Sequence, residues 1–188
     1  MTEMTNLAVT PAIHLILGAA RSGKSRYAEQ QASLLEQQSA ATVVYIATAQ
    51  AHDGEMQQRI DHHRDQRPAH WPTLEEPLQL AACLQRAQQQ YPGSALLVDC
   101  LTLWVTNCLL HSDPDYWARE REALLALLPE LQQPLLLVSN EVGWGIVPMG
   151  ELSRRFVDES GRLHQAIAAQ AQAVTLVVAG IPMAVKRS

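Results

Sequence analysis

The feature that most constrains the fold is the stretch at residues 18–25, GAARSGKS, which fits the pattern GxxxxGK[ST] at every fixed position. It follows the apolar run 13–17 and precedes a helical pattern, so we expect a strand, a tight loop and a helix in succession. Such a loop turns at its glycines and aims backbone N–H groups at one point, where the helix adds the positive end of its dipole. The stretch therefore predicts a site for the phosphates of a nucleotide.

Each residue type in this loop has a physical role. Lys24 would reach the β- and γ-phosphates, and the hydroxyl of Ser25 would ligate Mg²⁺. Asp99 ends the apolar run 95–99 and is the candidate second Mg²⁺ ligand, directly or through water; capping the helix that starts at Leu101 is a compatible alternative. An ordinary glycine-containing turn is the alternative for the loop as a whole. The candidate phosphate-binding residues are Gly18, Ala19, Ala20, Arg21, Ser22, Gly23, Lys24 and Ser25.

Short apolar runs alternate with longer helical patterns along the chain. The runs are apolar almost throughout, as parallel strands covered on both faces should be. The alternation predicts an α/β fold with a doubly wound, mostly parallel sheet flanked by helices, in a single domain over residues 1–188 with a flexible N-terminus at 1–12. The expected strands are 13–17, 43–47, 95–99, 134–139 and 174–180, and the expected helices are 24–37, 54–66, 76–91, 101–111, 115–130 and 151–172.

Composition narrows the class of protein. A net charge of −5 and a pI of about 5.8 argue against a broad nucleic-acid or membrane surface. The longest apolar run, 173–185, is broken by Gly180 and Pro182 and is too short for a membrane span. The first twelve residues lack the features of a signal peptide, and we expect a cytoplasmic protein. The sequence has no CxxC pair and no set of histidines at metal-ligand spacing, so we do not expect a zinc site. We expect Cys83, Cys100 and Cys108 to be reduced thiols in the core.

A second feature is the segment 59–71, RIDHHRDQRPAHW, which places two adjacent histidines among three arginines in this acidic chain. If 54–66 is helical, Arg59, His63 and Arg67 share one face, whereas His62 points about 100° away. Flanking cations disfavour the imidazolium form, so they would keep His63 neutral and able to attack an α-phosphate. The residues alone still favour the plainer alternative, a solvated histidine on a polar helix face.

Five motifs in order resemble one family closely. The chain resembles the bifunctional adenosylcobinamide kinase / adenosylcobinamide-phosphate guanylyltransferases of cobalamin assembly over about residues 13–182. That resemblance implies phosphorylation of adenosylcobinamide by ATP or GTP, then transfer of GMP from GTP to the product through a guanylylated histidine. The motifs are GAARSGKS (18–25), YIATAQ (45–50), DxEMxxRIxxHxxxRPxxW (53–71), VDCLTLWVTN (98–107) and SNEVGWGIVP (139–148).

The resemblance also implies site residues, a fold and an assembly. The family's RIxxHxxxRP pattern assigns the guanylylated histidine to His63, with His62 as the adjacent alternative. It implies a RecA-like fold and a homotrimer with active sites between subunits, acting on a corrinoid with Mg²⁺. Besides the phosphate loop, the implied nucleotide contacts are Ala47, Thr48, Ala49, Arg64, Asp65, Gln66, Arg67, Glu75 and Asp99.

Other assignments stay open at this point. Glu141 is a candidate for orienting the attacking hydroxyl in the kinase step or for bonding its own loop. Trp144 is a candidate corrinoid surface, or an aromatic of the core or of a subunit contact. Glu75 and Glu76 also fit acids of a helix first turn. Rival functions are a P-loop kinase or NTPase without nucleotidyl transfer, and a nucleotide-gated binding module without turnover.

Overall fold

The computed structural model describes residues 12–39, 41–50 and 67–187. These residues form a seven-stranded sheet with the strand order β3-β2-β4-β5-β1-β6-β7. The predicted helix at 54–66 lies outside the described residues. The strands are β1 (Ile13–Gly18), β2 (Val43–Ala47), β3 (Thr73–Glu75), β4 (Ala95–Asp99), β5 (Leu135–Asn140), β6 (Ala173–Val178) and β7 (Ile181–Lys186). The helices are α1 (Lys24–Ser39), α2 (Leu80–Gln90), α3 (Leu101–Leu109), α4 (Tyr116–Leu127) and α5 (Glu151–Gln170), with a 3₁₀ turn at Leu128–Glu130.

Strands β1 to β6 run parallel to their neighbours, and β7 pairs antiparallel with β6. The central strands β4 and β5 are buried along almost their whole length, because helices cover both faces of the sheet. The parallel, doubly wound α/β class expected from the apolar runs is thereby confirmed. All the strands expected from those runs are present.

Two strands were not predicted, and both are at edges of the sheet. Strand β3 has only three residues, too few to show any periodicity. Strand β7 follows a turn in which Ala179 and Gly180 have φ values of 51° and 80°. It holds Pro182, which an edge strand tolerates because one side of it needs no ladder hydrogen bonds.

Two helix boundaries differ from the prediction by more than two residues. The helix expected at 76–91 begins only at Leu80, because Pro77 and the Glu76 carboxylate shape the preceding turn. Glu76 Oε1 accepts hydrogen bonds from the backbone N–H groups of Leu78 at 3.2 Å and Gln79 at 2.8 Å. The helix expected at 115–130 ends at Leu127 and tightens into the 3₁₀ turn that contains Pro129.

The two faces of the sheet bury separate apolar clusters. The larger one lies between the sheet and helices α2 to α5, with Trp104 and Trp117 in edge contact at 5.3 Å between ring centroids. The smaller one lies under α1, where Ala28, Ala32 and Tyr45 pack. Cys83, Cys100 and Cys108 are buried free thiols within these clusters. Over the described ranges, no helix is long and apolar enough to cross a membrane.

Candidate nucleotide site

The phosphate-loop sequence lies at the carboxyl edge of the sheet, between β1 and α1. Strand β1 is paired with β5 on one side and β6 on the other, and Gly18 aligns with Asn140 and Val177. Open parallel sheets bind ligands at this edge, where the strands end and the loops diverge. The predicted strand–loop–helix context of residues 18–25 is therefore present.

Two glycines of the loop have no room for a side chain. A Cβ on Gly18 would lie 2.6 Å from the carbonyl oxygen of Val177. Gly23 has a φ of 92°, and a Cβ there would lie 3.2 Å from the Cα of Gly180. The turn after β6 closes this side of the loop, since the N–H of Gly180 donates to the carbonyl of Ser22 at 2.8 Å. These close contacts explain why the pattern requires glycine at both positions.

Lys24 and Ser22 give the loop the properties of an anion site. Lys24 is only 8% exposed, and its ammonium donates to the carbonyl of Ala19 at 3.4 Å, so the charge lies over the loop itself. Within the described ranges, no carboxylate forms an ion pair with Lys24. The Ser22 hydroxyl is buried and has no hydrogen-bond partner among those residues. A bound phosphate would supply the missing negative charge and the missing acceptor.

Asp99 ends β4 at the same edge of the sheet. Its Oδ2 accepts a hydrogen bond from the hydroxyl of Tyr45 at 3.2 Å. Cys100 occupies the N-cap position of α3, which has no side-chain cap, so Asp99 does not serve as that cap. No cluster of three metal-binding side chains is present in the described part of the chain. Mg²⁺ takes oxygen ligands and is usually bound by one or two carboxylates together with phosphates and water, so the Ser25 hydroxyl and the Asp99 carboxylate fit it.

Arg67 and Glu29 add two further charges beside Asp99. The Arg67 guanidinium stacks on the Tyr45 ring, with Cζ 3.7 Å from the ring centroid. Burial, and then the negative charge of Asp99, raise the pKa of Glu29 to about 7, while the positive charge of Arg67 opposes the rise. Sequence reasoning missed Glu29. A signal was available, because Glu29 is four residues after Ser25 and therefore lies on the same face of the helix, one turn beyond the phosphate loop.

The predicted contacts on β2 and β3 also meet at this edge. Glu75 aligns with Ala47 in the pairing of the two strands. The Thr48 hydroxyl donates to the carbonyl of Cys100 at 2.7 Å and accepts from its N–H at 2.9 Å. This side chain therefore joins the ends of β2 and β4. Asn107, which sequence reasoning did not single out, fixes the same turn by donating to the carbonyl of Thr48 at 2.9 Å.

Part of the predicted site lies outside the described residues. This holds for both histidines, His62 and His63, and for three of the implied nucleotide contacts, Arg64, Asp65 and Gln66. Their assignments remain predictions.

The loop after β5 borders the phosphate loop and presents apolar side chains. The N–H of Glu141 donates to the carbonyl of Gly18 at 3.0 Å. Glu141 Oε1 accepts from the N–H of Gly143 at 2.8 Å, and Oε2 lies 3.9 Å from Nδ1 of the buried His164. Beyond it, Trp144 is 75% exposed and Ile146 is 98% exposed. Trp144 is therefore not a core aromatic within this chain.

Comparisons with known proteins agree with this geometry. The family model described as cobinamide kinase / cobinamide phosphate guanyltransferase matches residues 14–185. The chain is 60% identical, over 172 residues, to the bifunctional adenosylcobalamin biosynthesis protein CobP of Pseudomonas aeruginosa, covering 92% of this chain and 96% of the relative. It is 42% identical, over 185 residues, to the bifunctional adenosylcobalamin biosynthesis protein CobU of Salmonella typhimurium, covering 92% and 98%.

The fold is also similar to that of a solved structure. A KaiC-like protein from Pyrococcus horikoshii OT3 superposes with a TM-score of 0.53 at 13% sequence identity, covering 89% of this chain and 71% of the other. At that identity the similarity concerns the fold alone. It agrees with a P-loop α/β architecture of the RecA-like kind.

Proposed function

The chain belongs to the cobinamide kinase / cobinamide phosphate guanyltransferase family, and we propose that it catalyses both transfers on a corrinoid. The first phosphorylates adenosylcobinamide with ATP or GTP. The second transfers GMP from GTP to adenosylcobinamide phosphate and gives adenosylcobinamide-GDP and pyrophosphate. The observation that carries this proposal is the family match over residues 14–185, which includes a complete phosphate loop in its strand–loop–helix context.

In the kinase step, the phosphate loop holds the triphosphate and Lys24 stabilises negative charge on the transferred group. The substrate hydroxyl attacks the γ-phosphorus, and the bond to the bridging oxygen breaks to release the nucleoside diphosphate. Support comes from the buried Lys24 ammonium and from the unpartnered Ser22 hydroxyl. Bound Mg²⁺, held by Ser25 and Asp99, would neutralise phosphate charge.

In the guanylyl transfer, we assign the nucleophile to His63, with His62 as the alternative. A ring nitrogen attacks the α-phosphorus of GTP, and pyrophosphate leaves as the P–N bond forms. An oxygen of adenosylcobinamide phosphate then attacks the same phosphorus and breaks the P–N bond. Support for His63 comes from the RIxxHxxxRP pattern and from the neighbouring Arg67, which lies beside Asp99 and Tyr45 at the nucleotide site.

The same proposal includes the other predicted nucleotide contacts and the acceptor surface. Residues of the segment 47–49, together with Glu75, are proposed to contact the guanine nucleotide, because they end strands at the edge where the phosphate loop lies. The acceptor corrinoid is proposed to lie against the loop after β5. That loop is joined to Gly18 by a backbone hydrogen bond and exposes apolar side chains, including Trp144.

Assembly, domain organisation and compartment belong to the proposal as well. We propose a homotrimer of single-domain subunits, because the edge strand β7 exposes Ile181, Met183 and Val185, apolar side chains that an interface would cover. We place the enzyme in the cytoplasm, since both steps consume a nucleoside triphosphate.

The test is a product assay with purified protein, adenosylcobinamide, Mg²⁺, and either ATP or GTP. We expect adenosylcobinamide phosphate to form with at least one of the two donors. Adenosylcobinamide-GDP and an equal amount of pyrophosphate should form only when GTP is present. Formation of the phosphate without any pyrophosphate would favour the kinase-only alternative. Nucleotide binding without any corrinoid product would favour a binding module.

A further inference from the structure

A buried serine–histidine pair lies next to Glu141, the first residue of the loop after β5. The Nε2 atom of His164 on α5 and the Oγ atom of Ser139 on β5 form a hydrogen bond of 2.7 Å. Ser139 is wholly buried and His164 is 6% exposed, although the buried residues next to His164 on α5 include Leu163 and Ile167. A polar pair of this kind can be replaced by apolar side chains with little loss of stability, so packing alone does not explain it.

The other ring nitrogen of His164 faces the carboxylate of Glu141. The distance from Nδ1 to Oε2 is 3.9 Å, which is within the range of an ion pair but longer than a hydrogen bond. Burial lowers the pKa of His164 from its ordinary 6.5, and the negative charge of Glu141 opposes that change. The ring is therefore neutral near pH 7 and carries one N–H. A carboxylate can only accept, so the proton belongs on Nδ1, and Ser139 then donates to Nε2.

Glu141 itself is fixed at the border of the phosphate loop. Its N–H donates to the carbonyl of Gly18 at 3.0 Å. Its Oε1 accepts from the N–H of Gly143 at 2.8 Å, and a Cβ on Gly143 would lie only 3.1 Å from that oxygen. The side chain is still 21% exposed. The carboxylate is thus held beside the phosphate loop and is open to a substrate that lies at the same edge of the sheet.

We propose that Glu141 is the general base of the kinase step and that His164 is the residue that positions its carboxylate. This inference rests on the proposed function, because it needs a hydroxyl acceptor and a triphosphate in the phosphate loop. The Glu141 carboxylate takes the proton of the acceptor hydroxyl as that oxygen bonds to the γ-phosphorus, and the electron pair of the broken P–O bond leaves with the nucleoside diphosphate. The proton then passes from the partly exposed carboxyl group to solvent.

The guanylyl transfer does not need this base. Its acceptor is an oxygen of adenosylcobinamide phosphate, and a phosphate monoester is already ionised near pH 7. The two transfers of one enzyme therefore separate a catalytic role of Glu141 from a structural one. Loss of the base would affect the first transfer alone, whereas a distorted loop next to Gly18 would affect both.

The test measures each transfer separately in Glu141→Gln, with adenosylcobinamide for the first and adenosylcobinamide phosphate for the second. We expect kcat of the kinase step to fall about 10²–10³-fold, while both KM values stay within about threefold of wild type. The guanylyl transfer should keep its wild-type rate. The matched control is Glu122→Gln on the exposed surface of α4, which should keep both rates.

Two variants of His164 test the positioning role. The side-chain amide of asparagine can replace Nδ1, which faces Glu141, whereas that of glutamine can replace Nε2, which faces Ser139. We expect His164→Gln to lower kcat of the kinase step about tenfold, as loss of one hydrogen bond to a charged group would. His164→Asn should restore most of that loss, and neither variant should change the guanylyl transfer.

Three results would overturn the inference. The first is an unchanged kinase kcat in Glu141→Gln. The second is an equal loss of both transfers in Glu141→Gln, which would make this residue a structural part of its loop. The third is an equal kinase kcat in His164→Asn and His164→Gln, which would show that His164 does not act through Nδ1. Wild-type protein that phosphorylates no corrinoid would instead contradict the proposed function itself.

Discussion

The two faces of the sheet differ in what they bury. The face under α2 to α5 covers an almost wholly apolar cluster that includes Leu84 and Trp104. The face under α1 covers a smaller apolar cluster, whose Tyr45 contacts the charged side chains of Arg67 and Asp99. The charges of these two residues also act on Glu29 of α1. The difference indicates that stability comes mainly from the first face. The second face holds the charges that a nucleotide site needs, and burying those charges lowers the stability of the fold.

The largest expected effect is on the α1 face. Lys24→Ala removes the ammonium that lies over the phosphate loop, and we expect kcat/KM of both transfers to fall by about 10²–10³. Stability should change little, because the buried charge has no ion-pair partner among the described residues. Steady-state rates and thermal melting of the same preparation check both statements. If Lys24→Ala lost stability as well as activity, the α1 face would also be a main source of stability, and the two faces would not differ in this respect.

The next effect is on the opposite face. Leu84 is fully buried in the larger cluster, and Leu84→Ala should lower the free energy of unfolding by about 3 kcal/mol. The measurement is urea denaturation followed by circular dichroism. The folded variant should bind GTP with the wild-type Kd. A Kd that changed by tenfold would show that the larger cluster also shapes the nucleotide site.

The pH dependence of stability gives a smaller contrast. The pKa of Glu29 rises from an ordinary 4.5 to about 7 in the fold, so the folded protein holds this proton more tightly than the unfolded chain does. The stabilisation is complete below pH 4.5 and is lost as the pH rises to about 7. Glu29→Gln should remove this loss and be more stable than wild type by about 1–2 kcal/mol at pH 8.

That experiment uses nucleotide-free protein with a chelator, so that bound ligands do not hold the carboxylate ionised. Urea midpoints are compared at several values between pH 4.5 and 8, and Glu122→Gln is the control. If the stability of wild type and of Glu29→Gln changed with pH in the same way, burial would not raise the pKa of this carboxyl group.

The smallest effect is expected in the exposed loop after β5. Trp144 is 75% exposed, so Trp144→Ala should change the free energy of unfolding by less than about 0.5 kcal/mol. If the corrinoid lies on this loop, the KM for adenosylcobinamide should rise about three- to tenfold while the KM for GTP stays the same. An unchanged corrinoid KM would exclude Trp144 from the acceptor surface. A contact with another subunit would then be the remaining role for this side chain.

Sequence patterns predicted the parts of the fold that follow from local rules. The apolar runs identified the buried parallel strands, because a strand covered on both faces has no polar side. The GxxxxGK[ST] pattern predicted a loop whose glycines have no space for a Cβ, as Gly18 shows against Val177. The edge strands were missed, since three residues at β3 and a proline in β7 give no readable pattern.

The site was predicted less completely than the fold, because its charges meet only in three dimensions. Arg67 came from the family resemblance, but its stacking on Tyr45 depends on how the segment that leads into β3 lies along β2. Glu29 was missed because its significance depends on Asp99, which is distant in sequence. Thr48 was predicted to contact the nucleotide, but its hydroxyl donates to the carbonyl of Cys100 and accepts from the N–H of the same residue.

The most direct measurement is labelling with GTP that carries radioactive α-phosphorus, with Mg²⁺ and without corrinoid, in wild type, His63→Ala and His62→Ala. We predict an acid-labile, alkali-stable label on wild type and on His62→Ala and none on His63→Ala. Such a label is the mark of a P–N bond to histidine, and its corrinoid-dependent release would complete the guanylyl transfer. No label on folded wild-type protein that binds GTP would contradict the account and leave a phosphate-loop kinase without nucleotidyl transfer.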